Sequence, residues 1–258
     1  MRYKITLEYD GARYHGWQKQ PKEPLTVQET VENAVMHIAG SYVKVTASGR
    51  TDEGVHALGQ VAHFDCDNAL PCERMKAALN HWLPDDVRVT ECETAPDTFD
   101  ARKSAKRKTY MYRFYVSDTE SPLRRTRECY GGTSLDVAAM DDAAKLFVGT
   151  HDFAAFMSSG SSAKTSVRTV FDASVKREGI SVVFSVTGNG FLYNMVRIMA
   201  GALLKVGKGG GKERIEKALA EGDRRLVPDI APPYALYLVG ADYGSGAKIA
   251  QNSRPILI

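Results

Sequence analysis

The run FLYNMVRIMAGALLKVG is apolar on nearly every face between residues 191 and 204. A helix of that kind is stable only when other elements cover most of its sides, so it requires a layered domain around it. The rest of the chain supplies the layers. RYKITLEY reads as a strand, and LTVQETVENAVMHIAG opens on a capping box, with Thr26 at the N-cap and Glu29 three residues on. Val27, Val31, Ala34, Val35 and Ile38 recur at helical spacing, which predicts a helix packed on a sheet. YVKVTAS and GQVAHFD read as two short strands. CERMKAALNHWLP predicts a helix with Met75, Leu79 and Trp82 on one face and a stop at Pro84, and DVRVTECE returns as a strand.

The segment TAPDTFDARKSAKRKTY is polar, basic and without periodicity, as expected of a connection. After it the order begins again. TYMYRFYVS predicts a strand, LDVAAMDDAAKLFVG a helix, SVRTVFDASVKREGISVVFSVTGNG a hairpin, and the apolar run a long helix. This order fits an α+β class with two similar halves, residues 1–103 and 104–258, and mainly antiparallel sheet. The similarity lies in element order only, with no residue-level repeat. GKGGGK looks like a phosphate loop but has Val206 at the first glycine position and Glu213 after Lys212, so it reads as a helix-to-helix connection.

Bulk features exclude several classes. The four cysteines, Cys66, Cys72, Cys92 and Cys129, form no CxxC pair and no Cys/His ligand spacing, which argues against a zinc site or a disulfide framework. MRYKITLEYDG lacks the apolar core of a signal peptide, and no run approaches about 18 consecutive apolar residues, so a cytoplasmic protein without a membrane association is expected. With 34 Lys+Arg against 31 Asp+Glu the net charge is only +3. A polyanionic partner must therefore be argued from local clustering.

Three places concentrate chemistry. In TASGRTDEGVHALGQVAHFD, residues 46–65, Asp52 follows Arg50 by two positions and precedes Gly54 by two. An Asp close to a Gly is a common turn. Here Gly49 and Gly54 on either side allow a close backbone approach, and Arg50 can keep a short carboxylate ionised and aimed, as a nucleophile or base near neutral pH requires. The second place is Arg197, a cation on the apolar helix that must either find a partner or reach water along its own stem. Third, Arg102, Lys103, Lys106, Arg107 and Lys108 lie within seven residues and lead into Tyr110 and Tyr112 on one side of a strand. Cations followed by aromatics neutralise phosphates and stack unpaired bases. His56 is expected to be structural or to touch substrate, and His63 to pack within a strand.

GRTDEGVHALGQVAHF closely resembles the catalytic signature of the TruA family of tRNA pseudouridine synthases. The resemblance extends over LEYDGARYHGWQKQP, VQETVENA, ALNHWLPDDVRV, FDARKSAKRKTYMYRFY, GTHDFAAF and NGFLYNMVRIMAG, in the family's order. It implies the pseudouridine synthase fold, two α/β halves with largely antiparallel sheets joined into one extended sheet and a catalytic cleft between them. It also implies a homodimer acting on tRNA, with uridine turned into pseudouridine at nucleotides 38, 39 and 40 of the anticodon stem-loop and with no cofactor or metal. Asp52 matches the catalytic aspartate, Tyr110 the tyrosine that packs on the target base, Arg197 the arginine that pairs with the aspartate, and Arg50 a motif arginine suited to the space a flipped base vacates. Two other classes share parts of this pattern. A non-catalytic RNA-binding protein would have no need of Asp52, Tyr110 and Arg197 together, and a nucleoside hydrolase would use the aspartate but release a free base.

Overall fold

Alternation in RYKITLEY becomes β1 (Arg2–Tyr9), with Tyr3, Ile5, Leu7 and Tyr9 buried on one face. The computed structural model describes residues 1–21, 25–160 and 163–244, and the chain divides into two units. The first, among the described residues, is Met1–Lys106 with residues 237–244. Its strands run in the order β4–β1–β3–β10, with β3 at His56–Asp65, β4 at Val87–Ala95 and β10 at Leu236–Asp242. The two-residue β2 (Thr46–Ala47) pairs with β3. β1 is antiparallel to both neighbours and places Ile5 opposite Ala62 and Cys92, whereas β10 runs parallel to β3.

Two helices complete this unit. α1 (Val27–Ala39) starts as the capping pattern predicts, with Thr26 Oγ1 accepting from the Glu29 N–H at 3.4 Å. Glu29 does not complete a reciprocal box, because its carboxylate pairs with Lys19 Nζ at 3.0 Å. In α2 (Cys72–Trp82) Met75 and Leu79 are fully buried, but Trp82 is 49% exposed. The apolar stripe continues instead through Leu83 at the i, i+4, i+8 spacing. Trp82, at the last helical position, stacks on His37 of α1 with ring centres 4.0 Å apart.

The second unit, Arg107–Leu236 among the described residues, orders its strands β5–β9–β8–β7. These are β5 (Arg107–Tyr115), β7 (Gly149–Asp152), β8 (Val167–Glu178) and β9 (Ser181–Gly188), all antiparallel, with β6 (Cys129–Tyr130) beside β5. The predicted hairpin is β8–β9. α3 (Val137–Lys145) is capped by Asp136, whose carboxylate accepts from the Ala139 N–H at 2.9 Å. The apolar helix is α4 (Met195–Gly207), ten of whose residues are buried. It begins four residues later than the apolar run, since Asn194 has a left-handed backbone. α5 (Glu213–Glu221) follows the glycine-rich connection.

One buried ion pair anchors β5. Arg113 on β5 donates to Glu128 Oε1 at 2.8 Å, and the Glu128 side chain has no exposure. The same carboxylate takes hydrogen bonds from Ser181 Oγ at 2.7 Å and from Arg124. Deleting one partner of such a pair strands the other charge away from water. Glu128→Ala is therefore expected to lower stability by about 3–5 kcal/mol in urea unfolding. A change below about 1 kcal/mol would show that Glu178, 3.5 Å from Arg113 Nη1, or water takes over the charge.

Candidate active site

The loop between β2 and β3 is held from several directions by groups of its own unit. Ser48 donates its N–H to Val61 O at 2.7 Å, and its hydroxyl bonds Gln60 Oε1 at 2.7 Å. Gln60 Nε2 in turn donates to Gly49 O at 2.8 Å. Thr51 is buried, its hydroxyl 2.8 Å from Tyr9 Oη and its carbonyl accepting from the Trp17 N–H at 3.0 Å. Burial pushes the Tyr9 phenol up to about 12, so it stays neutral and available for hydrogen bonding throughout the working pH range.

Past Asp52 the chain turns on itself. Val55 N–H donates to Asp52 O at 3.1 Å, Gly54 takes φ of +75°, and Gly54 N–H reaches Tyr14 O at 3.3 Å. The segment 14–17 lies directly against this turn. Gly16 has φ of +82°, and a Cβ there would stand 2.7 Å from Thr51 O and 3.1 Å from Asp52 C. Between these contacts Asp52 is half-buried and Arg50 exposed. The turn thus presents a short carboxylate from a backbone fixed on both sides, which is the positioning that nucleophilic or proton-transfer chemistry needs.

The two nearby histidines have structural places. His56 Nδ1 lies 3.0 Å from the Gly11 N–H and 3.1 Å from Asp10 Oδ1, and the buried ring stacks on Tyr237. His63 accepts from the Ala101 N–H at 3.1 Å, and desolvation, aided by the Arg2 charge, lowers its pKa and keeps it neutral.

In the second unit Tyr110 sits on β5, with its ring edge-on to Phe191 at 5.2 Å. Arg197, in the first turn of α4, donates from Nε to Ala231 O at 2.8 Å and from Nη1 to Asn194 Oδ1 at 2.7 Å. The cation on the apolar helix is half-buried and tied to specific acceptors, so it does not merely trail out to water. Tyr112 departs from expectation. Tyr110 is itself buried, with 8% exposed, and Tyr112 on the same strand face is fully buried and gives its hydroxyl to Pro232 O at 2.9 Å, so it offers no surface to a base.

The basic run is presented as the sequence suggests in part. Arg102, Lys103, Lys106 and Arg107 are exposed, while Lys108 is half-buried. Asp100 Oδ1 accepts the N–H groups of Lys103 and Arg102 at 2.8 and 2.9 Å, which fixes the turn that carries them and holds its own carboxyl below the usual range. Arg107 lies over the Phe171 ring, 4.5 Å from its centre. The clamp residues Tyr9, Gly16, Trp17 and Gln60 were not distinguishable as site residues by sequence reasoning. Gly16 and Trp17 are signalled only by glycine and aromatic density in DGARYHGW, and Tyr9 and Gln60 sit in ordinary strand runs, none of which reveals what packs against what.

A family model described as tRNA pseudouridine synthase matches residues 5–102 and 143–244. The chain belongs to this family. Its relatives include proteins named tRNA pseudouridine synthase A. That of Acetivibrio thermocellus is 47% identical over 241 residues, covering 93% of this chain and 98% of its own. That of Limosilactobacillus reuteri is 45% identical over 250 residues, covering 95% and 97%. That of Geotalea uraniireducens is 44% identical over 241 residues, covering 93% and 98%. Arg50 and Asp52 fall in the first matched span of the synthase model and Arg197 in the second, while Tyr110 and most of the basic run lie between the spans.

The clamp generates a direct test. Gly16→Ala adds a Cβ where Thr51 O already stands and forces an L-residue into left-handed backbone. Strain alone should remove about 1–3 kcal/mol of stability. Thermal unfolding of the variant at the wild-type temperature would mean that the segment 14–17 does not pack on the Asp52 turn in solution.

Proposed function

We propose that this synthase converts uridine to pseudouridine at nucleotides 38, 39 and 40 in the anticodon stem-loop of tRNA, with Asp52 as its catalytic carboxylate. The observation that carries the proposal is the immobilised Asp52 turn within a chain that matches named tRNA pseudouridine synthases nearly end to end. The reaction breaks the bond from N1 to C1′, turns the uracil within the site and forms a bond from C5 to C1′. The proton on C5 is lost and N1 gains one, so atoms balance without any change of oxidation level. Such chemistry calls for a positioned carboxylate and no redox group. Asp52 serves it by attack on C1′, by attack on C6, or by removal of a sugar proton.

The other residues divide the remaining work. The target uridine must leave its stack, and Arg50, exposed at the mouth of the turn, is suited to the space it vacates. In this reading Tyr110 packs on the extruded base, and Arg197 supplies the counter-charge that keeps Asp52 ionised. Arg102, Lys103, Lys106, Arg107 and Lys108 neutralise phosphates of the bound RNA. The functional unit is a homodimer that works in the cytoplasm without cofactor or metal. No helix among the described residues is long and apolar enough to cross a membrane.

Asp52→Asn keeps the shape of the side chain and removes its charge and nucleophilicity. Tritium release from 5-tritiated uridine in tRNA should fall below about one hundredth of wild type, with tRNA affinity nearly unchanged. Turnover above that level would remove Asp52 from the chemical step. For Tyr110 the ring is the working part, so Tyr110→Phe should retain more single-turnover activity than Tyr110→Leu. Equal damage from both would assign the phenol a proton-transfer role instead.

A further inference from the structure

Asn194 is the one non-glycine residue with a positive φ among the described residues, at φ 60° and ψ 6°. It stands at the N-cap of α4, where Asn normally adopts extended backbone and uses its side-chain oxygen to cap the first turn. Here the side chain makes no such cap. Asn tolerates left-handed backbone better than other L-residues, yet the conformation still costs free energy and persists only where surrounding contacts impose it.

Those contacts converge on Arg197. Asn194 Oδ1 accepts from Arg197 Nη1 at 2.7 Å, while Asn194 Nδ2 donates to Ser158 Oγ at 3.0 Å. Ser158 is itself tied down, its N–H donating to the carbonyl of Tyr193 at 3.1 Å. On the other side Arg197 Nε donates to Ala231 O at 2.8 Å, and the Ala231 N–H donates back to Arg197 O at 3.1 Å. The guanidinium is thus oriented by a backbone carbonyl at Nε and, at Nη1, by a side chain whose backbone is strained to reach it. A helix that only needed a start would be served by the ordinary cap.

We propose that Asn194 is a positioning residue of the synthase, using its left-handed backbone to orient the Arg197 guanidinium for the isomerisation. The inference rests on the role given to Arg197 above. Asn194→Gly separates it from a purely structural role, since glycine accepts the left-handed conformation and lacks only the amide. Its thermal midpoint should stay within about 3 °C of wild type, while the single-turnover rate on saturating tRNA falls about tenfold or more, as expected when a hydrogen bond to a charged group is lost. Asn194→Asp keeps the acceptor facing Arg197 and should recover most of that loss.

Three results would overturn the inference: a wild-type rate in Asn194→Gly, a loss in Asn194→Asp equal to that in Asn194→Gly, or a rate loss in Asn194→Gly that tracks a fall of more than about 10 °C in the midpoint. Arg197→Met is measured beside them. If it too reacts at the wild-type rate, or if the wild-type protein forms no pseudouridine, the assignment beneath the inference has failed. A slow Arg197→Met beside a fast Asn194→Gly refutes the positioning role alone.

Discussion

The close approach of the segment 14–17 to the turn around Asp52 is the contact on which the proposed site depends. A two-residue strand and a short turn have little rigidity of their own, because most of their backbone groups would otherwise bond water. Gly16 removes the side chain that would keep two backbones apart, and the Trp17 N–H and Tyr14 carbonyl then bond on either side of Asp52. Tyr9 reaches Thr51 from β1, and Gln60 holds Gly49 from β3. In the proposed role, a carboxylate positioned in this way would need little reorganisation during reaction, which is where enzymes gain much of their rate.

The second unit solves a different problem, how to keep cations in an apolar setting. Arg113 is matched by the fully buried carboxylate of Glu128, which also accepts from Ser181 Oγ, and by Glu178 at 3.5 Å, so its charge is met by anions. Arg197 donates to the Ala231 carbonyl and to the Asn194 amide oxygen. Such acceptors fix the direction in which a planar guanidinium points. The contrast suits a structural role for Arg113 and a functional one for Arg197.

Much of this was legible in the sequence. Strict alternation in RYKITLEY, the Thr26 cap and the apolar period of α1 each specify their element through local physics, and each is found. The misplaced residues are those whose fate depends on distant partners. Trp82 has the spacing of a buried residue, but it is the last of its helix and finds His37 instead of the core. Tyr112 has the parity of Tyr110, yet it is fully buried and Pro232, remote in sequence, accepts its hydroxyl. β10 is seven residues whose neighbour is β3, far back in the chain, and such pairing leaves no local signature. The carboxylate could be singled out from its glycines and arginine, whereas the clamp of Tyr9, Gly16 and Gln60 exists only once β1, β3 and the turn have come together.

Isomerisation of uridine in tRNA through Asp52 can be tested directly on RNA. Unmodified tRNA incubated with the wild-type protein, or with Asp52→Asn, can be treated with carbodiimide and mapped by primer extension. New carbodiimide-dependent stops are expected at nucleotides 38 to 40 with wild type and none with Asp52→Asn. Unchanged uridine with both proteins, or strand scission at abasic sites in place of pseudouridine, would contradict it.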